Sequence, residues 1–215
     1  MNLIFKEAER MSINVNPYTR HIESFTQKSK DRVLQTISFK QIKALRDLPS
    51  TLENARKWIL IGLYMGQKIS DLLTLKPSQL RFIENGVYID INQQKTDKYV
   101  TVGVVDKEVI QILKQRFRYD ISAQLFNRHI KKICQIARIN EMVSGCKLCI
   151  KTKRKRLGTH PKYSLISSHD LRRSFATNYF GKNETPVLMQ ITEHSKESTF
   201  LSYIGTQLVV FIIMV

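Results

Sequence analysis

The segments HDLRRSFAT (His169–Thr177), ITEHS (Ile191–Ser195) and FLSYI (Phe200–Ile204) are the part of the chain that says most about its fold and chemistry. His169 and Arg172 lie three residues apart, so they share one face of a predicted helix. Arginine presents a planar fork of donors that matches two phosphate oxygens, and histidine can accept or donate a proton. The pair predicts a phosphate site, although a solvated surface pair is the commoner outcome at this spacing.

A second histidine and a tyrosine follow closely. His194 and Tyr203 are nine residues apart, and Ser195 between them is predicted to cap the helix that carries the tyrosine. A tyrosine hydroxyl can attack phosphorus and form a covalent ester when its proton is removed and cations stabilise the added charge. The chain has eight tyrosines, and a place in the core is the ordinary role of any one of them.

Outward from these segments, most of the chain has helical spacing of its apolar residues. Val87–Gln93 and Tyr99–Val104 instead alternate apolar and polar residues around a turn at residues 94–97, which predicts an antiparallel pair of strands. The sequence therefore predicts an α+β fold that is mainly α-helical, with a small antiparallel sheet. The predicted helices run from Ser38 to about residue 45, Thr51 to Gly66, Lys68 to Leu75, Asp106 to about residue 117, Ser122 to about residue 139, Ser168 to Gly181, and over about residues 185–192 and 196–204. Ser38, Thr51, Asp106, Ser122 and Ser168 are the predicted N-caps of their helices.

The two ends of the chain differ from this regular region. Residues 1–14 have the pattern of the end of a helix, Asn16-Pro17 is a break, and the polar residues 18–37 are typical of a linker. At the other end, Leu208–Val215 is an uninterrupted apolar run, too short to span a bilayer. Such a segment is expected to dock on its own core or on a neighbour, because it would favour aggregation if exposed.

The charge is strongly positive. The 215 residues include 35 Lys or Arg and 18 Asp or Glu, a formal charge of +17, which favours a polyanion partner, nucleic acid first and an anionic membrane surface second. Residues 146–182 hold ten of the basic residues against one acid, Asp170, a local charge of +9. Within it, the run KTKRKR at residues 151–156 is compatible with a solvated loop, a localisation signal or a nucleic-acid contact.

Composition restricts the class of protein further. A hydrophobic content of 42% supports a packed core, and no apolar run reaches the roughly 18 residues that a membrane span needs. No signal peptide is predicted. Three cysteines favour a reducing compartment over a disulfide framework. Cys146 and Cys149 form a CxxC that is half of a zinc site, with His160 as a third candidate ligand, but two incidental thiols in a hairpin are the preferred interpretation.

Five segments taken together resemble the catalytic domain of the tyrosine recombinases, the phage integrase family. The three opening segments are preceded in the same order by MGQKISDLLTLK (residues 65–76) and QQKTDK (residues 93–98). The resemblance covers residues 38–205. It implies that residues 1–37 are a remnant of the family's N-terminal DNA-clamping domain with its linker, and it leaves residues 206–215 as an apolar tail.

The resemblance assigns a role to each matching position. It makes Tyr203 the nucleophile that forms a 3′-phosphotyrosyl bond with DNA, and Arg172 the holder of the non-bridging phosphate oxygens. His169 would accept or steer a proton, and His194 would support the transition state. Lys95, on the turn between the strands, would protonate the leaving 5′-oxygen, a task that suits a mobile, monocationic tip.

Three departures from the family pattern predict weak or absent strand transfer with DNA binding retained. Lys68 stands where the family has its first arginine, and it keeps the charge but loses the bidentate fork. Losing one preorganised donor typically costs on the order of 10²–10³ in rate. Glu193 replaces the glycine usual before the second histidine, which adds a negative charge beside the phosphate site. The third departure is the short apolar end after Tyr203, where the family has a further helix.

The implied function is site-specific recombination of double-stranded DNA, of the integrase or transposase kind, by a cytoplasmic, nucleoid-associated protein of a mobile element. The resemblance implies a tetramer on paired sites and no cofactor or metal, because the phosphotyrosyl bond conserves the energy of the phosphodiester. The alternatives are a catalytically impaired DNA-binding remnant of a recombinase, a type IB topoisomerase that acts as a monomer, and a basic structural or membrane-surface protein.

Overall fold

The computed structural model describes residues 2–18, 35–95, 97–115, 120–149 and 152–205, and the chain divides into two compact units, residues 1–32 and 33–215. In the first unit, helix α1 spans Asn2–Arg10 and ends earlier than the sequence predicts. The predicted break after it is present, since the Asn16 side chain accepts a hydrogen bond from the Tyr18 N–H over 3.0 Å. Most of the predicted linker lies outside the described residues.

The second unit is built around helix α3, Ser50–Met65, whose buried residues include Trp58 and the run Ile59–Leu63. From Trp58 to Met65 this helix is apolar on nearly every side, so that part belongs at the centre of a core. The other helices of this unit that the structure describes are α2 (Phe39–Lys43), α4 (Ile69–Leu73), α5 (Lys107–Lys114), α6 (Ala123–Ile136), α7 (Ser168–Tyr179), α8 (Thr185–Ile191) and α9 (Glu197–Ile204).

Gly66 ends α3 and brings it close to α7. Its φ of +65° is in the left-handed region that favours glycine, as the sequence predicts for a helix end. A Cβ at this position would lie 2.3 Å from the Phe175 ring of α7, so glycine also allows the close approach. Because α3 ends so close to α7, the segment that follows it, Gln67-Lys68, begins beside α7.

The sheet has three antiparallel strands in the order β1 (Leu80–Ile83), β2 (Gly86–Gln93) and β3 (Lys98–Val104). The predicted pair is confirmed, with Ile89 opposite Val102 and Gln93 opposite Lys98 at the turn. Strand β1 was not predicted, because its residues are mostly exposed and carry no alternation of apolar and polar side chains.

The basic segment forms a hairpin of strands β4 (Met142–Cys149) and β5 (Arg154–Pro161). Lys147 is opposite Arg156, and Cys149 is opposite Arg154. Directly opposed residues share a face, so these basic side chains lie on one face of the hairpin. The other face carries Cys146 opposite Leu157 and Leu148 opposite Lys155.

The helix boundaries show which capping predictions hold. The side chains of Asp106 and Ser122 cap α5 and α6 as predicted, by accepting backbone N–H bonds. Three predicted caps were wrong, because neighbouring residues take the N-cap position: Pro49 instead of Thr51, Ser167 instead of Ser168, and Lys196 instead of Ser195. Ser38 has the N-cap conformation without a side-chain bond, and α7 already ends at Tyr179, two residues before Gly181.

Candidate active site

The start of α7 is fixed by a capping box. The backbone N–H and the hydroxyl of Ser167 both donate to Asp170 Oδ2, over 2.8 and 2.9 Å. The Ser168 N–H donates to the side-chain oxygen of Asn127 on α6, over 2.8 Å. These bonds hold the first turn of α7, and this turn presents the predicted site residue His169 at the surface.

Arg172, one turn further along α7, is 5% exposed. Its guanidinium donates to the Thr192 carbonyl and, over 3.3 Å, to Glu193 Oε1. The other oxygen of the same carboxylate forms an ion pair with Lys68 Nζ. The structure therefore brings together the two cations that the resemblance assigns to the phosphate, and it places the Glu193 carboxylate between them.

Glu193 is unusual in its backbone as well as its charge. Its φ is +50°, a conformation that costs a residue with a Cβ roughly 1–2 kcal/mol and that glycine adopts freely. This is a physical reason for the glycine that the family usually has here. Burial would raise the pKa of the Glu193 carboxyl, but hydrogen bonds and charges from Lys68 and Arg172 outweigh it and hold the pKa below its usual range. The carboxylate is therefore ionised at neutral pH.

Tyr203 lies on α9 between the two predicted histidines. Its ring centroid is 5.5 Å from that of His169 and 4.7 Å from that of His194. The hydroxyl is 3.5 Å from the His169 carbonyl oxygen. Burial raises the pKa of the Tyr203 phenol to about 12, against the lowering effect of Arg173 and Arg172. The phenol is thus neutral at rest and needs help to become a nucleophile.

The protonation pattern of His194 follows from its hydrogen bond. The Thr192 hydroxyl donates to the Leu188 carbonyl over 2.6 Å, so it acts as the acceptor at its 2.9 Å contact with His194 Nδ1. The proton of the neutral ring is therefore on Nδ1, and Nε2 is an acceptor. Burial, followed by the charge of Arg172, lowers the pKa of His194 and favours this neutral form.

Two buried glutamines join the strands of the sheet to the other site segments. Gln93, at the end of β2, donates to Gln67 Oε1 over 3.1 Å and to the Ile191 carbonyl over 3.2 Å. Gln67 donates to the same carbonyl over 3.1 Å. Gln67 precedes Lys68, Gln93 leads into the β2–β3 turn, and Ile191 leads into Glu193 and His194. We call this cluster of three residues the glutamine node. It could not be predicted from the sequence, because an isolated Gln has no characteristic pattern.

Lys95 is placed on the exposed β2–β3 turn, as predicted. The N–H of its neighbour Gln94 donates to Asp71 of α4 over 3.3 Å, which ties this turn to the body of the domain. Among the described residues, no hydrogen bond or ion pair links the Lys95 side chain to the five other predicted site residues.

The three cysteines are not among the proposed site residues. Cys146 and Cys149 are three residues apart on strand β4, so their side chains point to opposite faces of the hairpin. Over the described part of the chain, no three His, Cys, Asp or Glu side chains are grouped as a metal site would require. Cys134 is buried in the core, and burial raises the pKa of its thiol to about 12.

The fold and these residues can now be compared with known proteins. The family model described as the phage integrase family matches residues 35–207, well over half of the chain. The chain belongs to the phage integrase family. This confirms the resemblance stated from the sequence. No curated protein matches the chain closely enough to count as a relative.

Solved structures of site-specific recombinases and integrases share the fold. A lambda integrase dimer bound to a COC′ core site has a TM-score of 0.61 at 16% identity, covering 94% of this chain and 69% of that one. The XerH site-specific recombinase bound to palindromic difH substrate has a TM-score of 0.55 at 16% identity, covering 77% and 46%. The Tn1549 transposon integrase in complex with transposon right end DNA has a TM-score of 0.54 at 13% identity, covering 93% and 70%.

These likenesses show the tyrosine recombinase catalytic fold, mainly helical with small antiparallel sheets, as predicted. The chain spans 46% of the length of the XerH chain that it resembles. Across the described ranges, no helix is both long and apolar enough to cross a membrane.

Proposed function

We propose that this chain catalyses site-specific recombination of double-stranded DNA through a covalent 3′-phosphotyrosyl intermediate on Tyr203. The observation that carries the proposal is the convergence on one site of residues from distant parts of the sequence. Tyr203 from α9 contacts the rings of His169 and His194, while Arg172 and Lys68 meet around one anion, the Glu193 carboxylate. A nucleophilic hydroxyl, an imidazole that can act as its base and cations that stabilise the developing charge are groups that favour phosphoryl transfer to a hydroxyl.

In the proposed step the Tyr203 oxygen attacks the phosphorus of a DNA phosphodiester, and the bond from phosphorus to the 5′-oxygen breaks. The phenol proton passes to a base; His169 is assigned this role because its backbone and ring lie beside the tyrosine. Lys95 supplies a proton to the leaving 5′-oxygen. Arg172 and Lys68 hold the non-bridging oxygens, and His194, close to both Tyr203 and Arg172, supports the transition state.

Glu193 sets the expected rate of this step. A DNA phosphate and the Glu193 carboxylate each carry one negative charge, and both would occupy the space between Lys68 and Arg172. Phosphate binding therefore requires the carboxylate to leave two buried or half-buried cations. Together with the missing fork at Lys68, this supports the prediction that strand transfer is slow in this chain while DNA binding persists.

The partners proposed are DNA and further copies of this chain. Lys147, Arg154 and Arg156 of the hairpin are exposed, positively charged and on one face, as a surface that meets a DNA backbone should be. A tetramer on paired sites, action on DNA in the cytoplasm as part of the nucleoid, and descent of residues 1–37 from a DNA-clamping domain belong to the same proposal. The dimer and tetramer structures of lambda integrase on DNA motivate the assembly.

A suicide substrate tests the proposal. A DNA duplex with a nick beside the cleavage position loses its 5′-hydroxyl fragment after attack, so the covalent complex accumulates and is visible as a shifted band under denaturing conditions. Libraries of random duplexes, or DNA flanking the gene, would supply the site. We expect a complex with the parent chain and none with Tyr203→Phe, which retains the ring contacts. A complex of equal yield with Tyr203→Phe would overturn the assignment of Tyr203.

A further inference from the structure

Arg173 is a buried cation beside the site to which neither the motifs nor the resemblance gives a task. It follows Arg172 directly on α7, and the two side chains diverge: Arg172 reaches Thr192 and Glu193, whereas Arg173 reaches Asp170 and Tyr203. Only 4% of Arg173 is exposed. A buried guanidinium is costly unless its donors are all used, so its partners indicate what it does.

Three contacts connect Arg173 to the start of α7 and to the end of α9. Its Nη1 donates to Asp170 Oδ1 over 2.5 Å, and its Nε donates to the Tyr203 carbonyl over 3.1 Å. The central carbon of its guanidinium lies 4.9 Å from the centroid of the Tyr203 ring. That distance is within the range of a cation–π interaction.

The hydrogen bond from Arg173 to the Tyr203 carbonyl holds the backbone of the residue that carries the proposed nucleophile. This carbonyl belongs to the last turn of α9, where carbonyls have no partner within the helix. Asp170 is in turn held by Ser167 in the capping box. A continuous chain of bonds thus runs from Ser167 through Asp170 and Arg173 to Tyr203, and it ties the helix that carries the nucleophile to the helix that carries His169 and Arg172.

We propose that Arg173 is a positioning residue for the reaction proposed above, which holds Tyr203 in place for attack and, through its charge over the ring, favours the phenolate. Both effects, the positioning of Tyr203 and the stabilisation of its phenolate, require an arginine. The guanidinium fork can bond Asp170 and the Tyr203 carbonyl at once and still lie flat against the ring, whereas a lysine has a single ammonium that can satisfy only one of these partners. The inference rests on the proposed function of Tyr203.

The electrostatic part is measured by titration of residue 203 in the full chain. We would replace Tyr203 by 3,5-difluorotyrosine, whose phenol ionises near neutral pH, and follow its ionisation by ¹⁹F NMR. An opposite charge at this distance shifts a pKa by about one unit or more. We therefore expect Arg173→Met to raise the midpoint by about one pH unit, and Arg173→Lys to raise it by less.

Arg56 provides a matched control. It is also a buried arginine, 5% exposed, and it bonds a carboxylate, Glu108 over 2.5 Å, and a carbonyl, Ile42 over 3.0 Å. Arg56→Met should destabilise the fold to a similar degree without moving the midpoint of residue 203. An unchanged midpoint in Arg173→Met, or an equal shift in Arg56→Met, overturns the electrostatic part.

The positioning part is measured as the rate of covalent trapping on the suicide substrate with the natural tyrosine. Arg173→Lys should trap DNA on the order of 10²-fold more slowly than the parent, as misplacement by about 1 Å can cause, with DNA affinity unchanged. A parental rate in Arg173→Lys overturns the positioning part. If Arg173→Met does not fold, Arg173→Lys decides both parts. A parent chain that never traps DNA defeats the proposed function, and the titration still reports on Arg173.

Discussion

Glu193 is the residue at which this chain differs most consequentially from its family. Its backbone adopts a conformation that favours glycine, and its carboxylate, with 5% of the side chain exposed, is bound by Lys68 and Arg172. The two ion pairs offset the free-energy cost of the left-handed backbone conformation. They also leave Lys68 and Arg172 neutralised by a carboxylate before any phosphate binds. Under the proposed function, the residue that stabilises the free protein through these ion pairs would also compete with the DNA phosphate.

The first prediction concerns replacement of this carboxylate. Glu193→Gly removes both the left-handed strain and the competing charge, so it should lower stability in the absence of anions, because removing one partner of a buried ion pair costs about 3–5 kcal/mol. It should also raise the rate of covalent trapping about tenfold or more, since every 1.4 kcal/mol recovered at the phosphate site is a factor of ten. Single-turnover trapping on the suicide substrate, with the chain in excess, measures the rate.

Sulfate separates the charge effect from the backbone effect. As a tetrahedral anion it should raise the melting temperature of Glu193→Gly above that in chloride at equal ionic strength, and leave the parent unchanged. Glu193→Gln keeps the side chain but removes the charge, so it should share the gain in trapping but not the relief of strain. A parent chain that traps DNA as fast as both variants would show that Glu193 does not compete with the phosphate.

At the level of secondary-structure elements, the glutamine node connects three segments that carry proposed site residues. Gln93 is fully buried and Gln67 is 2% exposed, and both amides donate to the Ile191 carbonyl. Buried amides are costly to leave unpaired, so the node fixes the relative placement of the segments. Through it the β2–β3 turn, the start of α4 and the end of α8 are held as one frame.

The second prediction is that Gln93→Leu weakens this frame. The substitution leaves Gln67 Oε1 without its donor, which should cost about 1–3 kcal/mol of folding stability, and it loosens the turn that presents Lys95. We expect a melting temperature lower by several degrees and covalent trapping slowed by more than DNA binding is weakened. The adjacent Gln94→Ala is the control, because Gln94 is exposed and its amide bonds only Thr74 among its described side-chain partners. Equal effects of the two substitutions would contradict a special role for the node.

Features that depend on residues close together in the sequence, such as helix caps, could be predicted from it. Features that depend on residues far apart along the chain, such as ion pairs between helices, could not. Asp106 and Ser122 cap their helices through their own backbone neighbours, and both were predicted correctly. At α7, two adjacent serines compete, and Asp170 selects Ser167 by accepting both of its bonds. The contacts of Glu193 with Lys68 join residues 125 positions apart, so the sequence could indicate the extra charge but not the ion pair.

Across the whole molecule, the charge of +17 is densest in residues 146–182, which carry +9 and include most of the hairpin and all of α7. Lys147, Arg154 and Arg156 lie on the same face of the hairpin as Gly145. A Cβ on Gly145 would lie 2.4 Å from the Leu165 side chain, so this face turns toward the segment that leads into α7. We expect this basic face of the hairpin, and not the apolar one, to contact DNA held at Arg172.

The third prediction uses this orientation. Each phosphate contact removed should reduce the slope of log K against log salt by about 0.9. We expect Arg156→Ala to reduce the slope by about that amount, and Lys155→Ala, which removes the same charge one residue away on the opposite face, to change it little. Fluorescence anisotropy of a labelled duplex from low to moderate salt would give both slopes. Equal reductions would mean that the hairpin contributes only its net charge, and a larger reduction for Lys155→Ala would reverse the assigned face. Because the two variants have the same net charge and both replaced residues are exposed, a difference between their slopes reports the direction in which the strand points each side chain.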